Sequence, residues 1–239
     1  RLYDYASKLW FMFATPILTN SGTKKGMPIS CFLNYVPDSR EGLTEHYTEN
    51  AWLASVGGGI PILRTIKDGL STNKINKVVG ILNGTCNYIL SKMESSKDSF
   101  SNVLKKAQAL GYAELRNPKF DLNGEDSLAK VRILSALAFN NKISKSNCLL
   151  NGIENIELED IKMASKLNYR IKLLGITEIV DNKLFERVHP CLVGKDNYIG
   201  NINGVMNAII LEGKPVGQSV LQGEGAGPGA TSSALMSDL

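Results

Sequence analysis

Lys77-Val78-Val79-Gly80-Ile81-Leu82, followed by Asn83-Gly84-Thr85, is the stretch on which the fold turns. The apolar run, bounded by a turn triplet, predicts a buried strand. Asn83-Gly84-Thr85 then hands the chain to a helix from about Asn87 to Met93. Working outward, Ile60 to Lys67 predicts a helix with Pro61 in its first turn, where a missing N–H costs little. Phe100 to Leu110 is amphipathic and closed by Gly111. From Asp126 towards Phe139, Leu128, Val131, Leu134, Ser135 and Ala138 recur at helical spacing. Asp160 to Asn168 is a further helical pattern. Strands are expected at 171–180, 185–193 and 208–212, followed by a Gly213-Lys214-Pro215 turn and a glycine-rich tail from Gly223.

These elements interleave without the tight alternation of a doubly wound parallel fold. They predict an α+β domain whose sheet is mixed or mostly antiparallel and covered by helices. Ahead of it, residues 3–13 read as an aromatic-rich helix broken at Thr15-Pro16, and Ile29 to Tyr35 as a strand. That leading segment is mostly helical or irregular. Pro118 is expected to keep the stretch around Leu115-Arg116 out of regular structure.

Bulk properties narrow the function. With 239 residues and 43% hydrophobic content the chain can build a core in one or two domains. The net charge of +4 is scattered rather than striped, which argues against nucleic acid. No apolar run reaches membrane-spanning length, and no signal-peptide pattern opens the chain. Cys31, Cys86, Cys148 and Cys191 lack CxxC spacing and read as free thiols, as expected of a cytoplasmic protein. His46 and His189 cannot form a metal cluster by themselves.

The local pattern richest in chemistry is Leu110-Gly111-Tyr112-Ala113-Glu114, then Asp121-Leu122-Asn123-Gly124-Glu125-Asp126, then Lys130. Asp126 and Lys130 are four apart and share a helix face. Spacing alone favours an exposed ion pair worth about 0.2–0.5 kcal/mol. Three further features point to a site. A glycine-bearing turn feeds the helix, the carboxylates of Glu114, Asp121 and Asp126 cluster along the sequence, and Lys130 lies beside the apolar stripe. A lysine among carboxylates at the mouth of a core can hold a substrate group or move a proton.

Gly111 to Lys130 resembles the substrate and catalytic segment of the homoserine dehydrogenases. Val79 to Tyr88 is similar to the strand-turn-helix that precedes it in that family, and Leu173-Leu174-Gly175, Gly204 to Ala208, Gly223 to Gly227 and Thr231 to Ala234 fit later segments. The resemblance covers residues 55–239. It implies reduction of aspartate 4-semialdehyde to L-homoserine with NADP or NAD as cofactor, in threonine and methionine biosynthesis. It implies Lys130 as the catalytic proton donor, Glu114 and Asp126 as ligands of the amino acid, and Asp121 behind them. Gly111 and Gly225 would lie against the cofactor. Val56, Gly58 and Ile60 match positions whose carbonyls hold a monovalent cation, sodium. The expected partner is a small-molecule substrate, with room for a homodimer.

Residues 1–54 resemble a different family, the large subunit of ribonucleotide reductase. The likeness rests on Thr15-Pro16-Ile17-Leu18-Thr19-Asn20-Ser21-Gly22-Thr23 and Ile29-Ser30-Cys31-Phe32. Ala54 to Ile60 suits both families, so the join falls there. Three departures follow. Leu53 stands where the dehydrogenases' cation site has a glutamate. The segment between Glu114 and Asp121 is one residue longer than the family pattern, about 3.3 Å of extended chain. The GxGxxG turn and second lysine of the family's Rossmann domain are not among these residues. The expectation is a homoserine dehydrogenase catalytic domain, incomplete by itself. The alternatives are a reductase fragment or an inactive chimeric remnant.

Overall fold

The computed structural model describes residues 62–114, 118–143 and 148–225. Helix α1 (Ile62–Arg64) continues as a wider π turn, Thr65–Gly69, and leads into β1 (Lys74–Ile81). Helices α2 (Gly84–Ser96), α3 (Phe100–Ala109), α4 (Lys119–Leu122) and α5 (Glu125–Phe139) follow. The rest is β2 (Leu149–Leu150), α6 (Leu158–Lys166), β3 (Tyr169–Val180), β4 (Lys183–Gly194), a 3-10 turn at Ile199–Asn201, β5 (Met206–Lys214) and β6 (Gly217–Glu224). The six strands form one sheet in the order β2-β4-β3-β1-β5-β6. β1 pairs antiparallel with β3 and β5, β3 pairs antiparallel with β4, and β2 pairs parallel with β4. The sheet is therefore mixed and flanked by helices, the α+β architecture expected from sequence.

Alternation along β3 sends side chains to both faces, and both are covered. Leu174 and Ile176 join Ile81, Ala208, Ile210 and Val193 in one apolar cluster closed by Ile199 and Ile202. On the other face, the Thr177 hydroxyl donates to Ser135 of α5 (3.1 Å). Gly175 admits α5 to the sheet there: a Cβ at that position would lie 2.4 Å from Val131 Cγ2. Beneath α2, Gly84 plays the same part, since its Cβ would lie 2.7 Å from the Val205 carbonyl.

Two expectations need correction. The turn expected at Gly213-Lys214-Pro215 falls slightly later, at 215–216, because β5 extends to Lys214, and an unexpected strand, β6, follows from Gly217 to Glu224. Helix α2 begins at Gly84, three residues earlier than its apolar pattern, because Asn83 caps it. Pro118 is followed directly by regular structure. At φ −73° it stands before the short helix α4, where proline's fixed φ suits a helix start. The helix expected at 3–13, the strand at 29–35, the residue insertion at 115–116 and the candidate cation ligands Val56, Gly58 and Ile60 all lie outside the described residues.

Candidate active site

The site is organised around Asn83, the residue that immediately precedes α2. Its backbone is extended (φ −131°, ψ 112°), and its Oδ1 accepts the Cys86 N–H (2.8 Å), which satisfies one of the unpaired donors of the first helical turn. That geometry leaves the amide nitrogen facing away from the helix. Nδ2 donates to Asp121 Oδ1 (2.9 Å) and to Asp126 Oδ2 (2.8 Å). One side chain thus holds two carboxylates that come from α4 and α5.

Lys130 completes the cluster. Its ammonium donates to Asp126 Oδ2 (2.8 Å) and to the Leu82 carbonyl at the end of β1 (3.0 Å). The residue is 8% exposed, so this is no solvated surface pair. Asp126 sits in the first turn of α5, where the helix dipole favours a negative charge. Gly124, at φ +87°, makes the sharp entry into that helix. Burial raises the pKa of Asp121, with the charges of Asp126 and Glu114 adding to it and the Asn83 hydrogen bond and Lys130 opposing it. The Cys86 thiol is fully buried beside these carboxylates and donates to the Asp121 carbonyl (3.3 Å). Burial, then Asp121 and Asp126, push its pKa well up, so it is a packing residue rather than a nucleophile.

Of the residues singled out from sequence, Asp121, Asp126 and Lys130 meet in one network. Glu114 is exposed at its edge, near enough for its charge to act on Asp121, and its backbone carbonyl accepts from Gln108 (3.0 Å). The adjoining wall is built by Tyr112, whose carbonyl accepts from the Thr85 hydroxyl (2.6 Å) and whose ring meets Tyr88 at 4.9 Å between centroids. Two contributors escaped the sequence reading, Asn83 and the Leu82 carbonyl. Asn83 carried a usable signal, because asparagine immediately before a helix is a capping residue. The carbonyl carried none.

The two glycines expected against the cofactor differ. Gly111 is exposed at φ +78°, and an added Cβ would meet nothing within 4 Å, so its surroundings are open. Gly225 is buried at the end of the described chain. Among the described residues no glycine-rich turn of the GxGxxG kind opens a helix. Nor does any group of three or more His, Cys, Asp or Glu among them form a metal cluster. No helix among them is long and apolar enough to cross a membrane.

Comparison with known proteins gives one answer. A sequence model of the homoserine dehydrogenase family matches residues 61–239. The chain is 45% identical over 186 residues to homoserine dehydrogenase of Neisseria gonorrhoeae, covering 78% of this chain and 42% of that one. It is 47% identical over 186 residues to the Helicobacter pylori enzyme, covering 78% and 44%. The crystal structure of a homoserine dehydrogenase from Thiobacillus denitrificans superposes with a TM-score of 0.74 at 44% identity, over 77% of this chain and 42% of that one. The chain thus spans less than half the length of each of these three relatives. It belongs to the homoserine dehydrogenase family.

Proposed function

We propose that this chain is the substrate-binding and proton-transferring part of a homoserine dehydrogenase, interconverting L-aspartate 4-semialdehyde and L-homoserine with NADP or NAD. The observation that carries the reading is the double use of Asp126 Oδ2, which takes hydrogen bonds from both Lys130 and Asn83. Hydride is the chemistry that the reduced nicotinamide supplies when bound. As the aldehyde carbon gains it, negative charge grows on the oxygen. The Lys130 ammonium, aimed by Asp126 and the Leu82 carbonyl, stabilises that charge and gives up the proton that completes the alcohol. Glu114 and Asp126 offer negative charge to the substrate's ammonium group, with Asp121 supporting them through Asn83. Gly111, with its open surroundings, and Gly225 belong to the cofactor side of this reading.

Further parts of the proposal rest on sequence pattern. Val56, Gly58 and Ile60 would hold a sodium ion by their carbonyls, and sodium dependence of activity tests this. Residues 1–54 are read as a segment related to the ribonucleotide reductase large subunit, with Cys31 an inert thiol. Ile179, Val180 and Phe185, exposed around the β3–β4 turn, support a homodimer, which sedimentation tests. The free thiols Cys86, Cys148 and Cys191 support a cytoplasmic setting.

The deciding experiment is calorimetric titration of the chain with L-homoserine and with 2-aminobutyrate, which lacks only the hydroxyl. Homoserine should bind more tightly, and Lys130→Ala should abolish the difference. NADPH oxidation with aspartate semialdehyde, on supplying a family dinucleotide-binding domain, should fall about 10²–10⁴-fold in Lys130→Ala, the range for a lost general acid. Equal binding of the two amino acids would sink the reading.

A further inference from the structure

A second buried lysine lies outside this cluster. Lys172, on β3, is 1% exposed. Its ammonium donates to Asn87 Oδ1 (3.0 Å), Asn203 Oδ1 (3.1 Å), Ser91 Oγ (3.4 Å) and, at short range, the Ile202 carbonyl. None of these four acceptors is a carboxylate. Asn87 carries the contact onward: its Nδ2 donates to the Ile202 carbonyl (3.2 Å) and the Met206 carbonyl (3.0 Å). Asn87 lies one helical turn from Asn83, whose carbonyl accepts the Asn87 N–H (3.2 Å). The side chain that binds Lys172 therefore sits on the same first turn of α2 that presents Asn83 to Asp121 and Asp126.

We propose that Lys172 is a positioning residue of the active site: its ammonium, through Asn87, fixes the first turn of α2 against the 202–206 segment, and loss of its proton loosens that turn and the Asn83 contacts it carries. The chemistry follows from counting donors. An ammonium brings three N–H groups to four oxygens and orients every acceptor towards itself. A neutral amine brings two and turns a lone pair on the remaining oxygens. The amide best able to respond is Asn87, and rotating it breaks its bonds to Ile202 and Met206.

Deprotonation is within reach of ordinary conditions. Burial, then the nearby Arg170 charge, lower the pKa of Lys172 from 10.5 to about 8, against the opposing pull of Glu94. The charged groups around it are otherwise accounted for. Glu94 of α2 is held by Arg170 (3.1 Å) and stands 4.0 Å from Lys195, in the turn after β4. Cys191, opposite Lys172 on β4, has its thiol pKa raised by burial. Lys92 of α2 lines a cavity of about 480 Å³ beside Arg170 and Asn203, while Lys162 and Lys166 of α6 line a separate one.

The inference uses the homoserine dehydrogenase reading only for the choice of ligand, so two readouts are taken from the whole chain. The first follows the backbone amide NMR signals of Gly84, Thr85 and Cys86 from pH 6.5 to 10. They should titrate with a midpoint of about 8, and that component should vanish in Lys172→Met and in Lys172→Arg, which stays charged throughout. Signals from any other titrating group persist in both variants and are thereby separated. The second is L-homoserine affinity. It should weaken about tenfold over that midpoint in the parent chain, the scale of one hydrogen bond to a charged group. In Lys172→Met it should be weak at every pH, and in Lys172→Arg it should not change at that midpoint. Amide titrations near pH 8 that are absent from the parent or unchanged in the variants overturn the proposal. If homoserine binds at no pH, the functional reading fails, while the amide signals still decide the role of Lys172.

Discussion

Lys130 and Lys172 are both buried, and their surroundings could hardly differ more. Lys130 has a carboxylate against its ammonium at 2.8 Å and one backbone carbonyl. Lys172 is surrounded by amide, hydroxyl and carbonyl oxygens without a formal negative charge in contact. The first arrangement ties the nitrogen to Asp126 directly and to Asp121 through Asn83. The second ties a helix to a strand and a loop, with the ammonium in direct contact with neutral oxygens only. Burial of a lysine is therefore no signature of catalysis by itself. What distinguishes the two is the counter-charge and what that counter-charge touches next.

The strongest way to break this contrast is to remove the counter-charge. Asp126→Ala should leave the Lys130 ammonium buried without its carboxylate and take away one acceptor of Asn83. Breaking a buried pair from one side costs about 3–5 kcal/mol. The side chains here retain 10% and 18% exposure, so the lower figure is expected. For a protein of this size that is a fall in Tm of about 6–12 °C. The Asp126→Ala/Lys130→Met double variant should recover much of it, because no uncompensated charge remains. Urea denaturation of the three proteins gives the comparison. A cost for Asp126→Ala below about 1 kcal/mol, as for an exposed pair, would make Lys130 an ordinary surface lysine.

The same contrast explains how much could be read in advance. Lys130 was legible because a helix writes its contacts into the sequence at a spacing of four, and because Asp126 supplies a charge partner at that spacing. The strand at 77–82 and the helices at 100–110 and 126–139 were legible through periodicity. Lys172 was not, because it sits in the apolar run Ile171 to Ile176, and its partners lie 30 to 85 residues away. Asn83 was seen only as a turn residue. Its capping bond is local, but its bonds to Asp121 and Asp126 span 38 and 43 residues and leave no local trace. β6 was missed for another reason. Gly217, Gln218, Ser219 and Gln222 are poor strand formers, and pairing at the edge of the sheet overrides their preference.

A smaller effect is expected where the site rests on the sheet. Gly175→Ala would place a Cβ 2.4 Å from Val131 Cγ2 and 2.8 Å from Leu82 Cδ1. Val131 adjoins Lys130 on α5, and Leu82 supplies the carbonyl that Lys130 binds. Overpacking of this kind costs about 1–3 kcal/mol. Here it should also separate the two anchors of the ammonium and weaken homoserine binding. Gly69→Ala is the control, since its Cβ would meet only Thr65 Cγ2 at 4.0 Å. Stability lost in Gly175→Ala with binding intact would show that α5 and β1 move together, leaving the Lys130 geometry unchanged.

The smallest effect sharpens the comparison most, because it reads the charge of Lys172 directly. Its pKa is about 8 in the folded chain and 10.5 as the reference for an unfolded one. Below pH 8 both states carry the proton, and folding bears the whole cost of burying the charge. As pH rises from 8 towards 10.5, the folded state releases its proton first, so the unfolded state binds more protons and stability increases. The gain from this group between pH 8 and pH 9 is about 1 kcal/mol, from the linkage relation at 1.36 kcal/mol per unit. Other groups titrate in the same interval, so the quantity to measure is the difference in unfolding free energy between the parent and Lys172→Met at each pH. Lys172→Met leaves the oxygens of Asn87, Asn203 and Ile202 without their donor and should be less stable at pH 8 by about 1–3 kcal/mol. That deficit should grow with pH as the parent gains. A constant deficit from pH 8 to 9 would mean that Lys172 keeps its proton throughout, and that its shell of neutral oxygens suffices to hold the charge.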